Sequence, residues 1–425
     1  MKFLRIGICA LVVFGIMAHG GVEEWARAIF ETAAAILFVA WAVHILLNDS
    51  EQLVFSSLLT PLAALAFLAL GQWLFHATAS SYETRTELLL LLADLIVLFL
   101  VAQVFRTLED WRSFIWFVMG FGFLISVFGI LQHLAFNGKL YWFREIRYGG
   151  IPFGPYANRN HFAGFAELVI PIALVPLVLG KVRRERWLVV GLFAVLPIGA
   201  LFLSASRGGI LSFCVELGVI GLWTILRGAA GKQALAAGAV LLAAFLMVSW
   251  IGAKEILQRF SAMQSLEMTA GKRASMRLGT WHIFLAHPVI GTGLGTLQTV
   301  FPAYETLYDG KIVNHTHNDY LEVLAETGAL GGLCCLWFLG VLFFDSARRL
   351  SEQNQSFAVA IHLSALTACI GFLVHGLVDF NFHIPANALL FLLMAHLATV
   401  EFQQALPGAP LPSRRRRRKR KPSLT

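Results

Sequence analysis

Fifteen consecutive residues, Asn314 to Gly328, read NHTHNDYLEVLAETG and hold two histidines, two asparagines, one aspartate and two glutamates. They stand in a chain rich in Leu, Phe, Ala and Val. An imidazole at a helix entrance beside water exchanges a proton near neutral pH and can take one from an attacking hydroxyl. The spacing Thr316-x-x-Asp319 resembles a capping box and predicts a helix start near His317. On that helix His317, Leu321 and Leu324 share one face, and Asn318, Glu322 and Glu326 share a neighbouring one. An isolated histidine there more often only caps a helix, so His317 gains a chemical role only if other groups join it.

Three further segments offer such groups. In SASRGG, Ser204 to Gly209, Arg207 lies in a connection of a few residues between two apolar runs. Its planar, permanently charged fork suits a diphosphate or a carboxylate. Ser204 and Ser206 add donors, and the two glycines allow close backbone approach; the competing role is an arginine snorkelling to a headgroup phosphate. The segment GKRASMRLGTWHIFLAHPVIGTGLGT supplies Lys272, Arg273 and Arg277, with Trp281 four residues beyond Arg277 on the same helical face. GPYANRNHFAG, Gly154 to Gly164, supplies Asn158, Arg159, Asn160 and His161 as donors for phosphate or sugar hydroxyls. Gly291, Gly293 and Gly295 imitate a dinucleotide fingerprint, but no strand precedes them, so they read as a turn.

Metal chemistry has weaker support. His315, His317, His375, Asp379 and His383 could serve as ligands. No HExxH or DxD pattern organises them, and His375 and Asp379, four apart, equally suit a structural hydrogen bond. The expectation is no metal and no cofactor.

The elements that must position these residues follow from hydropathy. Of 425 residues 58% are hydrophobic and 14% charged, against about 25% charged in soluble domains. Apolar runs lie near 3–19, 27–47, 53–76, 86–105, 113–136, 161–180, 186–203, 209–227, 235–253, 321–345, 357–376 and 384–403. None alternates with period two, which excludes a β-barrel pattern. The reading is an all-α, polytopic integral membrane protein of about twelve transmembrane helices with a folded periplasmic loop. About nine helices fall in 1–253, the loop in 254–318, about three helices in 319–405, and a basic cytoplasmic tail in 406–425. Asp94, Glu167 and Glu216 lie inside apolar runs and should face the bundle interior.

Charge orients the bundle. KVRRER at 181–186, the segment ARRLSEQNQ at 347–355, the MKFLR start and the tail RRRRRKRK at 414–421 fall on one side by parity. The positive-inside rule makes that side cytoplasmic, termini included. The tail supplies eight basic residues, equal to the whole formal charge of +8. Directly after a membrane helix it reads as an anchor on anionic lipid rather than a nucleic-acid site. The five cysteines lie in apolar runs and read as packing residues. All four polar segments gather on the outer side, where the cluster at 272–277 breaks the positive-inside trend. A transporter with a proton relay would instead show interrupted helices in corresponding halves, and none stands out.

The segments GPYANRNHFAG, SASRGG, MRLGTWHIFLAHPVIGTGLG and HTHNDYLEVLAETGALG, followed by HGLVDFNFHIPANA, occur in an order and spacing that resemble the O-antigen ligase/polymerase superfamily of bacterial envelope glycosyltransferases. The resemblance covers about residues 150–400. It implies an inverting, metal-independent enzyme of the inner membrane, with its site facing the periplasm. The donor would be a glycan on undecaprenyl diphosphate, and the acceptor a hydroxyl on lipid A core or on another glycan. Carried over residue by residue, it makes Arg207, Arg277 and His317 the catalytic set: two arginines on the diphosphate and an imidazole on the acceptor. Arg159, Asn160, His161, Ser206, Arg273, Trp281, Asn318 and Asp319 become candidate substrate contacts. Ligase leads; polymerase and protein O-glycosyltransferase fit the same pattern.

Overall fold

The computed structural model describes residues 1–48, 52–145, 151–228, 231, 235, 237–247, 249, 263–308, 310–352 and 356–403. The basic tail, positions 254–262 of the outer loop and most of NDSEQ lie outside the described residues. Among the described residues every apolar run is a helix and no strand forms, only two isolated bridges.

The helices are α1 Lys2–Met17, α2 Glu24–Leu46, α3 Leu59–Leu74, α4 Ser81–Val104, α5 Leu108–Leu134 and α6 Arg159–Val178. There follow α7 Trp187–Ser204, α8 Arg207–Leu226 and α9 Ala237–Met247. The outer loop contributes α10 Met263–Ala286 and the short α11 Leu297–Val300, and the chain closes with α12 Asp319–Glu352, α13 Ser356–His375 and α14 Pro385–Thr399. Eight helices are long and apolar enough to cross a membrane. That count is of the described residues; α3, α9 and α14 are shorter apolar helices beside them, and α1 is an apolar helix of 16 residues, so the chain is the all-α, polytopic membrane protein its apolar runs predict.

Local sequence sets where several helices begin. Ser80 accepts from the Glu83 amide at the start of α4, and Thr107 with Asp110 makes a full capping box on α5. Asn158 caps α6 and Ser206 caps α8. Packing then sorts the helices. Every residue of α6 from His161 to Val178 is buried, so α6 is the axis of the bundle, Pro171 and Pro176 notwithstanding. The acids inside apolar runs all turn inward, with Asp94, Glu167 and Glu216 buried, as the cost of charge facing lipid requires. All five cysteines are free thiols.

Hydrogen bonds fix which ends lie together. The amide of Ala386 donates to Gly20 O, joining the end of α1 to the start of α14, and Asn387 Nδ2 donates to His161 O, joining α14 to α6. Gln72, at the end of α3, donates to Ile290 O at 2.6 Å and to Glu326 O at 2.9 Å. The opposite end carries the pairs Arg5–Asp110 and Arg349–Glu401. The four polar segments therefore share one end of the bundle, and KVRRER, with Arg348 and Arg349, the other.

One helix is interrupted, which the hydropathy reading did not anticipate. At Gly328 (φ 63°, ψ −165°) α12 breaks after its first nine residues. The outer loop is strapped into that break. Amides of Thr292 and Gly293 donate to the carbonyls of Ala325 and Glu326, and those of Ala329 and Leu330 donate to Pro288 and Val289. Gly291, Gly293 and Gly295 all have positive φ. A Cβ on Gly328 would sit 2.5 Å from the Ile290 amide nitrogen, so two backbones meet where side chains cannot fit. The glycine run is a turn, as expected, and also the wedge in the broken helix.

Candidate functional site

The stretch that opened the sequence reading forms an ordered entry to α12, with one correction. The cap is Asn318, whose Oδ1 accepts from the Leu321 amide at 2.9 Å; Thr316 and Asp319 do not form a capping box. Thr316 is occupied elsewhere. Its hydroxyl bonds that of Thr280 on α10, and its amide donates to Glu322 Oε2 at 2.9 Å. Asp319 turns inward to His383 Nδ1, 2.9 Å away, and to the Phe382 amide. Held from both sides, His317 takes a left-handed backbone (φ 54°) that projects it from the helix start.

His317 acquires a partner from far along the chain. Its Nδ1 lies 3.2 Å from Asp379 Oδ1 in the loop between α13 and α14. The Asp379 side chain is 1% exposed and its second oxygen accepts from Asn160 Nδ2. Burial alone would raise that carboxyl; the hydrogen bond and charge of His317, with His161 and His375 nearby, instead hold it well below the usual carboxylate range. An ionised carboxylate only accepts, so Nδ1 of His317 is the donor to it, and in the neutral ring Nε2 then carries the lone pair. That is the tautomer of a general base. The structural hydrogen bond that the spacing of His375 and Asp379 allows is not made between their side chains: His375 Nδ1 pairs with the buried Glu167 at 2.9 Å instead.

The same loop, 376–383, touches the arginine-bearing elements. Arg273 Nη1 donates to Val378 O at 3.3 Å, tying α10 to it. A Cβ on Gly208 would lie 2.6 Å from His375 Nε2 and 3.0 Å from Val378 Cγ2, so the residue after Arg207 packs on the loop's start. Asn318 Nδ2 donates to Leu377 O at 3.0 Å. The loop thus gathers the first turns of α6, α8 and α12, and α10 as well. Arg207 is exposed at the first turn of α8, and Arg277 is half-buried one turn after Arg273. Phe380 sits in a ring of imidazoles, stacked on His315 at 4.3 Å and edge-on to His161 at 4.8 Å and His317 at 4.9 Å.

The family model for O-antigen ligase matches residues 192–336. That stretch, about a third of the chain, is an O-antigen ligase-like domain. No curated protein matches the chain. The matched segment runs from α7 to the middle of α12 and contains Arg207, Arg273, Arg277 and His317. With its apolar helices, the domain marks a multi-pass bacterial membrane protein that transfers glycans.

Of the other residues singled out from sequence, Asn160 and Asp319 serve the framework, Asn160 on Asp379 and Asp319 on His383. His161 packs on Phe380 and Ser206 caps α8. Arg159 begins α6, its amide bonded to Ile151 O. Trp281 is 41% exposed and packs on Phe284. Asp379, Glu322 and Phe380 were missed as site residues. The signal for Asp379 and His383 was present in HGLVDFNFH but pointed to ligands, because spacing alone does not name a partner 62 residues away. His383, with Glu322 and Asp319 against it, has its imidazole pushed up to about 10: burial lowers it and the two acids more than reverse that.

Proposed function

We propose that the protein moves a glycan from undecaprenyl diphosphate to a hydroxyl acceptor on the periplasmic face of the bacterial inner membrane, as an O-antigen ligase. The observation that carries the reading is the loop 376–383, on which the His317–Asp379 pair, the Arg273 contact and the first turn of α8 with Arg207 converge. Cations beside a proton acceptor suit the departure of an anionic diphosphate and the attack of a hydroxyl.

In this mechanism Arg207 and Arg277 hold the diphosphate, with Arg273 and Arg159 adding positive charge. His317 Nε2 takes the proton of the acceptor hydroxyl as its oxygen bonds the anomeric carbon. The bond from that carbon to the diphosphate oxygen breaks on the opposite face, inverting the centre, and the carrier leaves with both phosphates. Asp379 stabilises the imidazolium that results. Asn318 and Trp281, which reach the surface, line the approach of the sugar, with Ser206 and His161 buried behind them as support. Fixed guanidinium groups contribute about 3–4 kcal/mol each in a site shielded from water, and positioning of the hydroxyl supplies much of the remainder. Diphosphate already leaves readily, so the scheme needs no nucleotide sugar, metal or cofactor.

The orientation rests on the clustering of cations at the other end, in KVRRER and at Arg348 and Arg349. Arg207→Ala and Arg277→Ala should each abolish glycan transfer at normal protein level; normal transfer by both variants overturns the assignment. Deletion of the gene with gel analysis of surface glycan separates acceptors. Long unlinked chains accumulating on the carrier support lipid A core as acceptor, whereas single capped units support a polymerase.

A further inference from the structure

We propose that His315, Glu322 and His383 form a zinc-type metal site that pins the entry of α12 to the loop before α14. Their donor atoms all lie within 4.8 Å of one another. His315 Nδ1 is 2.7 Å and His383 Nε2 3.3 Å from the same oxygen, Glu322 Oε1. Metal–ligand bonds of about 2.0–2.1 Å in a tetrahedron put ligand atoms roughly 3.4 Å apart. The His383 edge already fits, and the His315 edge must open by about 0.7 Å.

The surroundings are those of a ligand set. Asp319 Oδ1 accepts from His383 Nδ1 at 2.9 Å, which fixes the ring and turns Nε2 toward the shared point. A carboxylate behind the distal nitrogen of an imidazole is the usual support of a metal-bound histidine. Glu322 Oε2 is taken by the Thr316 amide, which leaves Oε1 for the ion. Two imidazoles and one carboxylate suit zinc or cobalt; magnesium and calcium prefer all-oxygen sets. The charge is also compatible: binding would displace the proton from His383 Nε2, and the divalent cation would take its place beside Asp319 and Glu322, 3% and 1% exposed.

The site acts on position rather than on the reacting bond. His315 lies two residues before His317, and its ring stacks on Phe380, next to Asp379. An ion there fixes both ends of the His317–Asp379 pair in one frame. His315, Glu322 and His383 are positioning residues, separate from the arginines assigned to the diphosphate.

The test uses the full-length protein purified in detergent. Metal content is measured by plasma mass spectrometry, and zinc chloride is titrated into chelator-treated protein while thermal unfolding is followed. About one zinc per chain is expected, with a rise in melting temperature on titration. His383→Ala, His315→Ala and Glu322→Gln should lose the ion and the rise, while His282→Ala, on the exposed face of α10, retains both. In the unmutated protein, cobalt chloride should give the intense visible absorption of a four-coordinate ion, a readout that needs no variant to fold. Absence of zinc together with a cobalt spectrum like that of the free ion overturns the proposal, as does zinc retained by His383→Ala. Arg207→Ala should keep its zinc while losing transfer, so the failure of this site and of the transfer mechanism are read separately.

Discussion

Asp379→Asn offers the sharpest test of the site, because it changes one charge and almost no volume. The carboxylate is 1% exposed, bonds His317 Nδ1 at 3.2 Å and accepts from Asn160. An amide oxygen can still accept from Nδ1, so the imidazole keeps its tautomer and direction. What is lost is the negative charge that steadies the imidazolium in the transition state. Hydrogen bonds to charged groups are worth about 1.5–3 kcal/mol, and about 1.4 kcal/mol is tenfold in rate. Transfer should therefore fall about tenfold to a hundredfold in turnover, with little change in apparent donor affinity, since the arginines are untouched. Purified protein in lipid vesicles with a carrier-linked glycan and acceptor, resolved on gels over time, gives the rate. His317→Ala should cost about a hundredfold or more. The double variant is decisive. If Asp379 acts through His317, Asp379→Asn adds nothing once the imidazole is gone. An equal further loss in the His317→Ala background refutes the pairing.

Two further outcomes follow from the framework. Gly291→Ala places a Cβ against the Glu326 backbone at φ 72°; the left-handed conformation alone costs about 1–2 kcal/mol, and the overlap adds to it. The thermal midpoint should drop and proteolysis should cut the 287–296 loop, whereas Gly310→Ala, also at positive φ (79°) but with open space around its Cβ, should lower the midpoint only by the conformational share. His19 tests pH. Its Nε2 accepts from Arg144 at 2.6 Å and its Nδ1 faces Pro155 O at 3.3 Å; burial first and the guanidinium second hold its pKa below the ordinary value. A lowered folded pKa means the unfolded chain binds the extra proton first. Stability should therefore hold above about pH 6.5 and decline as pH falls below it. His19→Gln, whose amide oxygen still accepts from Arg144, should flatten that decline in thermal scans from pH 7 to 5; an unchanged slope refutes it.

The helices were legible because each is written twice, as an apolar run and, for several, as a cap: Ser80, Thr107, Asn158 and Ser206 all behave as their types predict. The order of four polar segments was legible too, and residues 192–336 match the family it resembled. What sequence did not carry is partnership across distance. Thr316 fails as a cap because a threonine on another helix, Thr280, takes its hydroxyl and Glu322 takes its amide. Asn318 then caps α12 and Asp319 is released to His383. A local rule gave way to tertiary contacts wherever a polar residue had a choice of partners. Gly328 reads as a mid-helix glycine until the strap at 288–293 is seen to occupy the break.

These substitutions of partner share one cause, the loop between α13 and α14. In eight residues, 376–383, it accepts a bond from Arg273 through Val378, binds His317 through Asp379, stacks Phe380 on His315 and offers His383 to Asp319. Its carbonyls follow the C-terminus of α13, the negative end of a helix, which favours nearby cations. The starts of α6, α8 and α12, positive ends, surround it and favour an anion. A diphosphate held among those starts would lie opposite His317, the imidazole that the loop fixes through Asp379. The helices supply rigidity, and the loop decides which side chains meet. A change that lengthens 376–383 by one residue should therefore cost transfer more than a change of equal size at the exposed residues 306–308, although both lie at the same end of the bundle.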